Sequence, residues 1–191
     1  MRVAVFASGS GSNFEAIVSA VHRQELALEV ALLFSDQPEA PVIQRAEKWG
    51  IPVVTFSPKS FSSRAAYEND VLSVLAAYEV EWIVLAGYMR LIGSGLLKAY
   101  PQKIMNIHPS LLPAFPGLHG IRDAFEAGVS ETGVTIHFID EGIDTGPIIA
   151  QEKVRILPED DVVSLEDRIH QVEHRLYVEV LKAISNRINK I

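Results

Sequence analysis

Strand-length apolar runs alternate with stripes of helical spacing along the first half of the chain, and this alternation constrains the fold more than any other feature. RVAVFA at 2–7 ends in the Gly/Ser cluster SGSGSN at 8–13, after which Phe14, Ile17, Val18 and Val21 recur at helical spacing. LEVALLF at 28–34 predicts a second strand, Pro41–Trp49 a second helix closed by Gly50, and IPVVTF at 51–56 a third strand. Pro52 cannot donate a ladder hydrogen bond, so that strand belongs at a sheet edge or a strand start. Tyr67, Val71, Val74, Leu75 and Tyr78 form one stripe over Arg64–Tyr78, and EWIVLA at 81–86 is the nearly unbroken apolar run of a strand covered on both faces. Repeated βα units predict a parallel sheet with right-handed crossovers.

The second half departs from this rhythm. A short helix near 94–100 stops at Pro101, and IMNIH at 104–108 is a strand ending at Pro109. PSLLPAFPGLHG at 109–120 holds three Pro and two Gly, so it is neither helical nor paired along its length and is expected to wrap over something. A helix near 121–127 leads to Gly128, then GVTIHFID at 133–140 and GPIIAQEKVRI at 146–156 read as two strands joined by 141–145. Residues 159–188 carry Val162, Leu165, Ile169, Val172, Leu176, Val180 and Ile184 on one side of a long helix. The expectation is one α/β domain over 1–191: a doubly wound, mostly parallel sheet with an antiparallel edge and a long C-terminal helix.

Composition narrows the chemistry. The 191 residues contain no Cys, which removes thiolate catalysis, zinc–thiolate and iron–sulfur sites, and disulfides. Seventeen Lys and Arg against 24 Asp and Glu give a net charge of −7, the wrong sign for bulk attraction to nucleic acid or anionic membrane. No stretch reaches the roughly 18 apolar residues of a membrane span, so a cytoplasmic protein is expected. An anionic small molecule would have to be held by a few local donors.

In an open parallel sheet, ligands bind beyond the carboxyl ends of the strands. The loop at 8–13 follows the first strand and opens the first helix, so the amides of Gly11, Ser12 and Asn13 form an anion site at a helix N-terminus. The plainer alternative is a tight turn with Ser12 as N-cap. Phe14 stands where a dinucleotide fingerprint needs its third glycine, and no Lys follows in phosphate-loop spacing. A small phosphate monoester fits best. Asp36, ending the second strand, keeps a dinucleotide reading open.

Asn106 and His108, two apart on a strand, project from one face at its end. An amide donor beside a titratable donor suits an oxyanion developing at an acyl carbon, and a satisfied polar pair at a strand terminus is the bland alternative. If the Asp144 carboxylate meets His108, it favours the imidazolium and raises its pKa, giving a general acid or cationic stabiliser near neutral pH. His137 shares a face with Thr135 and either looks into the site or satisfies a core hydrogen bond. His170 and His174 have i, i+4 spacing, yet HQVEH is no known metalloprotease helix and no metal is expected. Glu173 meets a cationic amine or lies on a solvated face.

Taken together, SGSGSN at 8–13, AGYMRLI at 86–92, MNIHPSLLPAFPGLHG at 105–120, GVTIHFID at 133–140 and DTGP at 144–147 resemble the phosphoribosylglycinamide formyltransferases of the folate-dependent formyltransferase family. The resemblance runs over nearly the whole chain and implies a formyltransferase-like Rossmann variant. It implies transfer of a formyl group from 10-formyltetrahydrofolate to the primary amine of glycinamide ribonucleotide, in purine synthesis. Carried over residue by residue, it assigns catalysis to Asn106, His108 and Asp144, and the ribonucleotide to Gly11, Ser12 and Asn13 with His170, Gln171, Val172 and Glu173. It assigns the folate to Arg64, Met89, Arg90, Leu91 and Ile92, with Asn106 and the loop Asp140, Glu141, Gly142, Ile143 and Asp144. His170 falls at a position that varies in the family. The implied partners are small molecules, with neither nucleic acid nor membrane, for a monomer or homodimer.

Two related activities remain as alternatives. A formyltetrahydrofolate hydrolase uses similar residues with water as acceptor but usually carries an extra N-terminal regulatory domain. A methionyl-tRNA formyltransferase shares the NIHPSLLP region but usually adds a C-terminal domain and a basic surface. A dinucleotide-binding module would use Gly9, Gly11 and Asp36 and leave Asn106, His108 and Asp144 idle.

Overall fold

A computed structural model describes residues 1–190. In chain order the elements are β1 (Arg2–Phe6), α1 (Ser12–His22), β2 (Glu29–Ser35), α2 (Val42–Lys48), β3 (Val53–Thr55), α3 (Arg64–Ala77), β4 (Trp82–Leu85), α4 (Ser94–Ala99), β5 (Ile104–His108), α5 (Gly120–Glu126), β6 (Glu131–Phe138), β7 (Ile148–Arg155) and α6 (Val162–Ile188). The seven strands form one sheet in the order β3-β2-β1-β4-β5-β6-β7. From β3 to β5 every pairing is parallel, while β6 runs antiparallel to both β5 and β7. The α/β sheet with an antiparallel edge and a long final helix is the expected fold.

The all-apolar strands follow from cover on both faces. Val3 and Val5 of β1 join one buried cluster with residues of α1 and α6, while the alternate Ala4 and Phe6 join a second with Tyr67, Val71 and Leu75 of α3. Each such fully buried Val, Leu, Ile or Phe contributes about 1.5–3 kcal/mol. β3 lies at the sheet edge, the place that Pro52 allows it. Ser63 caps α3 by accepting the Ala66 amide, and Asp161 with Ser164 makes a capping box at the start of α6.

The last two strands depart from the sequence expectation. β6 begins and ends two residues earlier than 133–140, and β7 starts at Ile148, so the connection spans 139–147 rather than 141–145. Phe138 still donates to Pro147 O across the widened loop. Gly146 is required there, because a Cβ would collide with the Phe138 carbonyl.

Strand order reverses between β1 and β4, which opens a crevice beyond their carboxyl ends. Ser8 N donates to Gly87 O at 3.0 Å across it. On the face where Val134 and Ile136 meet α6, strands β5 and β6 are covered by helix. On the other face, segment 109–120, up to the start of α5, lies against His108 and Thr135.

Candidate active site

Register brings the polar side chains together. Asn106 of β5 is paired with His137 of β6, and His108 with Thr135. All four share one face because each pair of side chains lies two apart on its strand. His137 is fully buried. Its Nδ1 donates to Phe138 O at 2.9 Å, and burial holds its pKa below that of a free imidazole against the opposing pulls of Phe138 O and the Asp144 carboxylate. A neutral ring that donates through Nδ1 can only accept at Nε2. Nε2 lies 3.3 Å from Asn106 Nδ2, so the contact orients the amide nitrogen toward His137, and its second N–H has no partner among the described residues.

His108 is buried, its Nε2 donating to Phe115 O at 2.7 Å. Its Nδ1 lies 3.6 Å from Asp144 Oδ2, and Asp144 Oδ1 lies 3.6 Å from His137 Nε2. Thus the carboxylate expected to reach one imidazole stands between two. It also accepts the Gly117 amide at 2.8 Å, which ties the 109–120 segment to the loop after β6. Asp144 and Phe115 both occupy the left-handed region, at φ 54° and 52°. Non-glycine residues are uncommon there, and such strain concentrates at functional sites.

The segment at 109–120 therefore wraps over the histidines. Ser110 O accepts from Thr135 Oγ1 at 2.7 Å, and that hydroxyl in turn accepts the Leu112 amide at 3.1 Å. Gln151 of β7 completes the brace, donating to Leu112 O at 2.8 Å and Thr135 Oγ1 at 2.9 Å. A Cβ at Gly120 would press on His108 Nε2 and Phe115 O at 3.1 Å. Gln151 escaped notice in the sequence, and His137 with Thr135 stood open between site and core, because their roles depend on antiparallel register. The alternation in GVTIHFID, read against IMNIH, held the one available signal.

The loop at 8–13 turns directly into α1, with Gly11 rather than the Ser12 of the plainer alternative as its N-cap. Gly11 has φ 75°, and a Cβ there would collide with Val42 of α2. The turn leaves the amides of Ser12 and Asn13 unpaired by the helix. Asn13 Oδ1 is buried without a hydrogen-bond partner among the described residues. Arg45, which the sequence reading passed over, donates to Ser10 O at 2.7 Å and pairs with Glu15 at 3.5 Å. Its charge also reaches His174, whose pKa is lowered chiefly by burial and whose Nε2 is another buried atom without a hydrogen-bond partner among the described residues.

Glu173 is not on a solvated face. It is buried, and its Oε2 accepts from His170 Nδ1 at 2.6 Å, which raises the His170 pKa. Their i, i+3 spacing puts both on one side of α6. Gln171 is exposed, and Val172 packs partly against the core. Among the described residues no group of three His, Cys, Asp or Glu is arranged to hold a metal ion.

Across the crevice, a cavity of about 210 Å³ is lined by Arg64, Tyr67, Glu68, Met89, Arg90 and Leu91. Arg90 lies over the Tyr67 ring, 5.6 Å from its centre. Tyr67 and Tyr88 share a hydrogen bond of 2.9 Å between hydroxyls, and burial pushes both phenols up, so both stay protonated. Met89 and Leu91 are exposed, whereas the Ile92 side chain belongs to the core. Glu141, Gly142 and Ile143 are exposed; Asp140 accepts Gly142 N and Thr145 Oγ1, and the latter bond holds its pKa below the usual carboxylate value.

Fold and site together define an α/β protein with an amide, two imidazoles and a carboxylate gathered at the ends of β5 and β6, a glycine turn into the N-terminus of α1, and a cavity walled by two arginines. The chain belongs to the formyl transferase family, whose profile matches residues 1–181. It is 51% identical over 189 residues to phosphoribosylglycinamide formyltransferase of Bacillus subtilis, covering 99% of this chain and 97% of that one. The crystal structure of glycinamide ribonucleotide transformylase 1 from Geobacillus kaustophilus superimposes with a TM-score of 0.94 at 58% identity, covering 96% and 97% of the two chains. The trifunctional purine biosynthetic protein adenosine-3 of Drosophila melanogaster is 44% identical over 187 residues, 97% of this chain and 14% of its own length. No helix among the described residues is long and apolar enough to cross a membrane.

Proposed function

We propose that this chain transfers a formyl group from 10-formyltetrahydrofolate to the amine of glycinamide ribonucleotide, acting as one cytoplasmic catalytic domain, monomeric or homodimeric. The observation that carries the reading is the meeting of Asn106, His108 and Asp144 at the ends of β5 and β6, with His108 Nδ1 3.6 Å from the carboxylate.

The substrate amine attacks the formyl carbon, forming a C–N bond while the carbonyl electron pair moves to oxygen. The second N–H of Asn106 and protonated His108 stabilise that oxyanion. The attacking nitrogen then loses its proton, the bond to the folate nitrogen breaks, and that nitrogen is protonated. Asp144 holds His108 and relays the proton through water. The products are the formylated ribonucleotide and tetrahydrofolate.

The ribonucleotide phosphate sits on the amides of Gly11, Ser12 and Asn13, supported by Arg45 and His174, with His170, Gln171, Val172 and Glu173 along its far side. The folate lies against Met89, Arg90, Leu91 and Ile92 and the 140–144 loop, with Arg64 and Arg90 meeting its carboxylate tail. These cations offset a net charge of −7 that otherwise repels both substrates.

The test is formyl transfer measured with the ribonucleotide present and absent. Product that forms only with the acceptor is expected. Deformylation without it would make the protein a hydrolase, and NAD binding without either reaction would make it a dinucleotide module.

A further inference from the structure

Glu68 is a buried carboxylate to which the proposed chemistry assigns no role. It lies one turn into α3, beside Arg64 and Tyr67 at i−4 and i−1, and lines the same 210 Å³ cavity. Its Oε1 accepts the amide of Gly93, the residue before α4, at 2.6 Å. Gly93 has φ −89° and ψ 176°, a conformation open to any residue, so the backbone does not demand glycine there. The carboxylate does: a Cβ at Gly93 would stand 2.6 Å from both Oε1 and Oε2 of Glu68, and one at Gly95 would stand 3.4 Å from Oε2. Gly93 lacks a capping side chain, and Glu68 supplies the acceptor from another helix.

The segment between β4 and α4 is fixed at both ends. At its start, Met89 N donates to Ser8 Oγ at 2.9 Å, and Ser8 Oγ donates to buried Asp36 at 2.5 Å. At its end stands Glu68. Met89, Arg90 and Leu91 lie between these anchors with their side chains at the surface.

We propose that Glu68 is a positioning residue for the formyl donor: its carboxylate, seated on Gly93 and Gly95, sets the path of residues 89–92 and so the shape of the cavity that takes the donor. The role rests on the folate reading above. Ser8 also belongs to the loop opposite, so the Glu68 anchor alone acts on the donor side without acting on the ribonucleotide side.

The test uses calorimetric binding of folinic acid, a stable reduced formyl folate, and steady-state kinetics with both substrates. Wild-type protein should bind folinic acid. Glu68→Ala should raise the donor KM about tenfold, the scale of a lost charge-assisted hydrogen bond, with kcat and the ribonucleotide KM within about twofold. Glu68→Gln, which keeps an acceptor, should recover part of the loss. Gly93→Ala should reproduce the donor defect by displacing the carboxylate. Combined with Glu68→Ala it should add nothing, because the clash is gone. Additive losses, or a parallel rise in both KM values, overturn the positioning role. So does wild-type folinic acid affinity in Glu68→Ala. A wild-type protein that binds no folinic acid overturns the donor reading, and the positioning role with it.

Discussion

Asp144 carries the largest share of the site at the scale of single residues. Its oxygens face His108 and His137 and accept the Gly117 amide, all from a left-handed backbone conformation. Asp144→Asn keeps an acceptor for Gly117, so the fold should survive, while turnover falls on the order of 10²–10³. Wild-type rates in that variant would refute the coupling. His137 gives a separate signal. Burial lowers its pKa, so below pH about 6.5 the unfolded chain binds a proton that the native ring refuses, and stability declines as pH falls toward the folded value. Urea midpoints measured across this range should fall less steeply for His137→Gln. His170 has the opposite sign: its bond to Glu173 raises its pKa, so its contribution is full below about 6.5 and disappears as pH rises through the folded value. The advantage of wild type over His170→Asn should therefore shrink with rising pH.

At the scale of elements, the phosphate-type loop depends on how closely α1 approaches α2. Gly11 serves two demands at once, a left-handed φ of 75° and room for Val42. Alanine at this position costs about 1–2 kcal/mol for its backbone alone, and Val42 must also move. Gly11→Ala should therefore lower the melting temperature and raise the ribonucleotide KM well above any change in donor KM; equal changes would argue against a phosphate role. The helical stripe of α3 was legible, and Tyr67, Val71 and Leu75 are buried as its spacing implies. Glu68 was not legible, because an acid beside an apolar stripe reads as the solvated border. Its burial follows from α4 packing against α3, a contact that periodicity does not encode.

Across the whole molecule, α6 ties the sheet together under the site. Tyr177 is fully buried, and its hydroxyl reaches Leu85 O of β4 at 2.9 Å and Met105 O of β5 at 3.2 Å. Tyr177→Phe should cost about 1–3 kcal/mol, a fall of roughly 2–4 °C in Tm per kcal/mol for a chain of this size, read by thermal melting. An unchanged Tm would mean that these carbonyls find other partners. The order of strands and helices, the edge place of β3 and the apolar face of α6 were written in local patterns, since each depends on periodicity or on one proline. So were the amide and imidazole of β5, two residues apart on one face. The position of Asp144 between two imidazoles, the pairing of Asn106 with His137, and the seat of Glu68 on Gly93 came only from the folded chain. Periodicity sets which face a side chain takes; the register of β5 with β6, the course of the connecting loops and the approach of α3 to α4 set what it meets there.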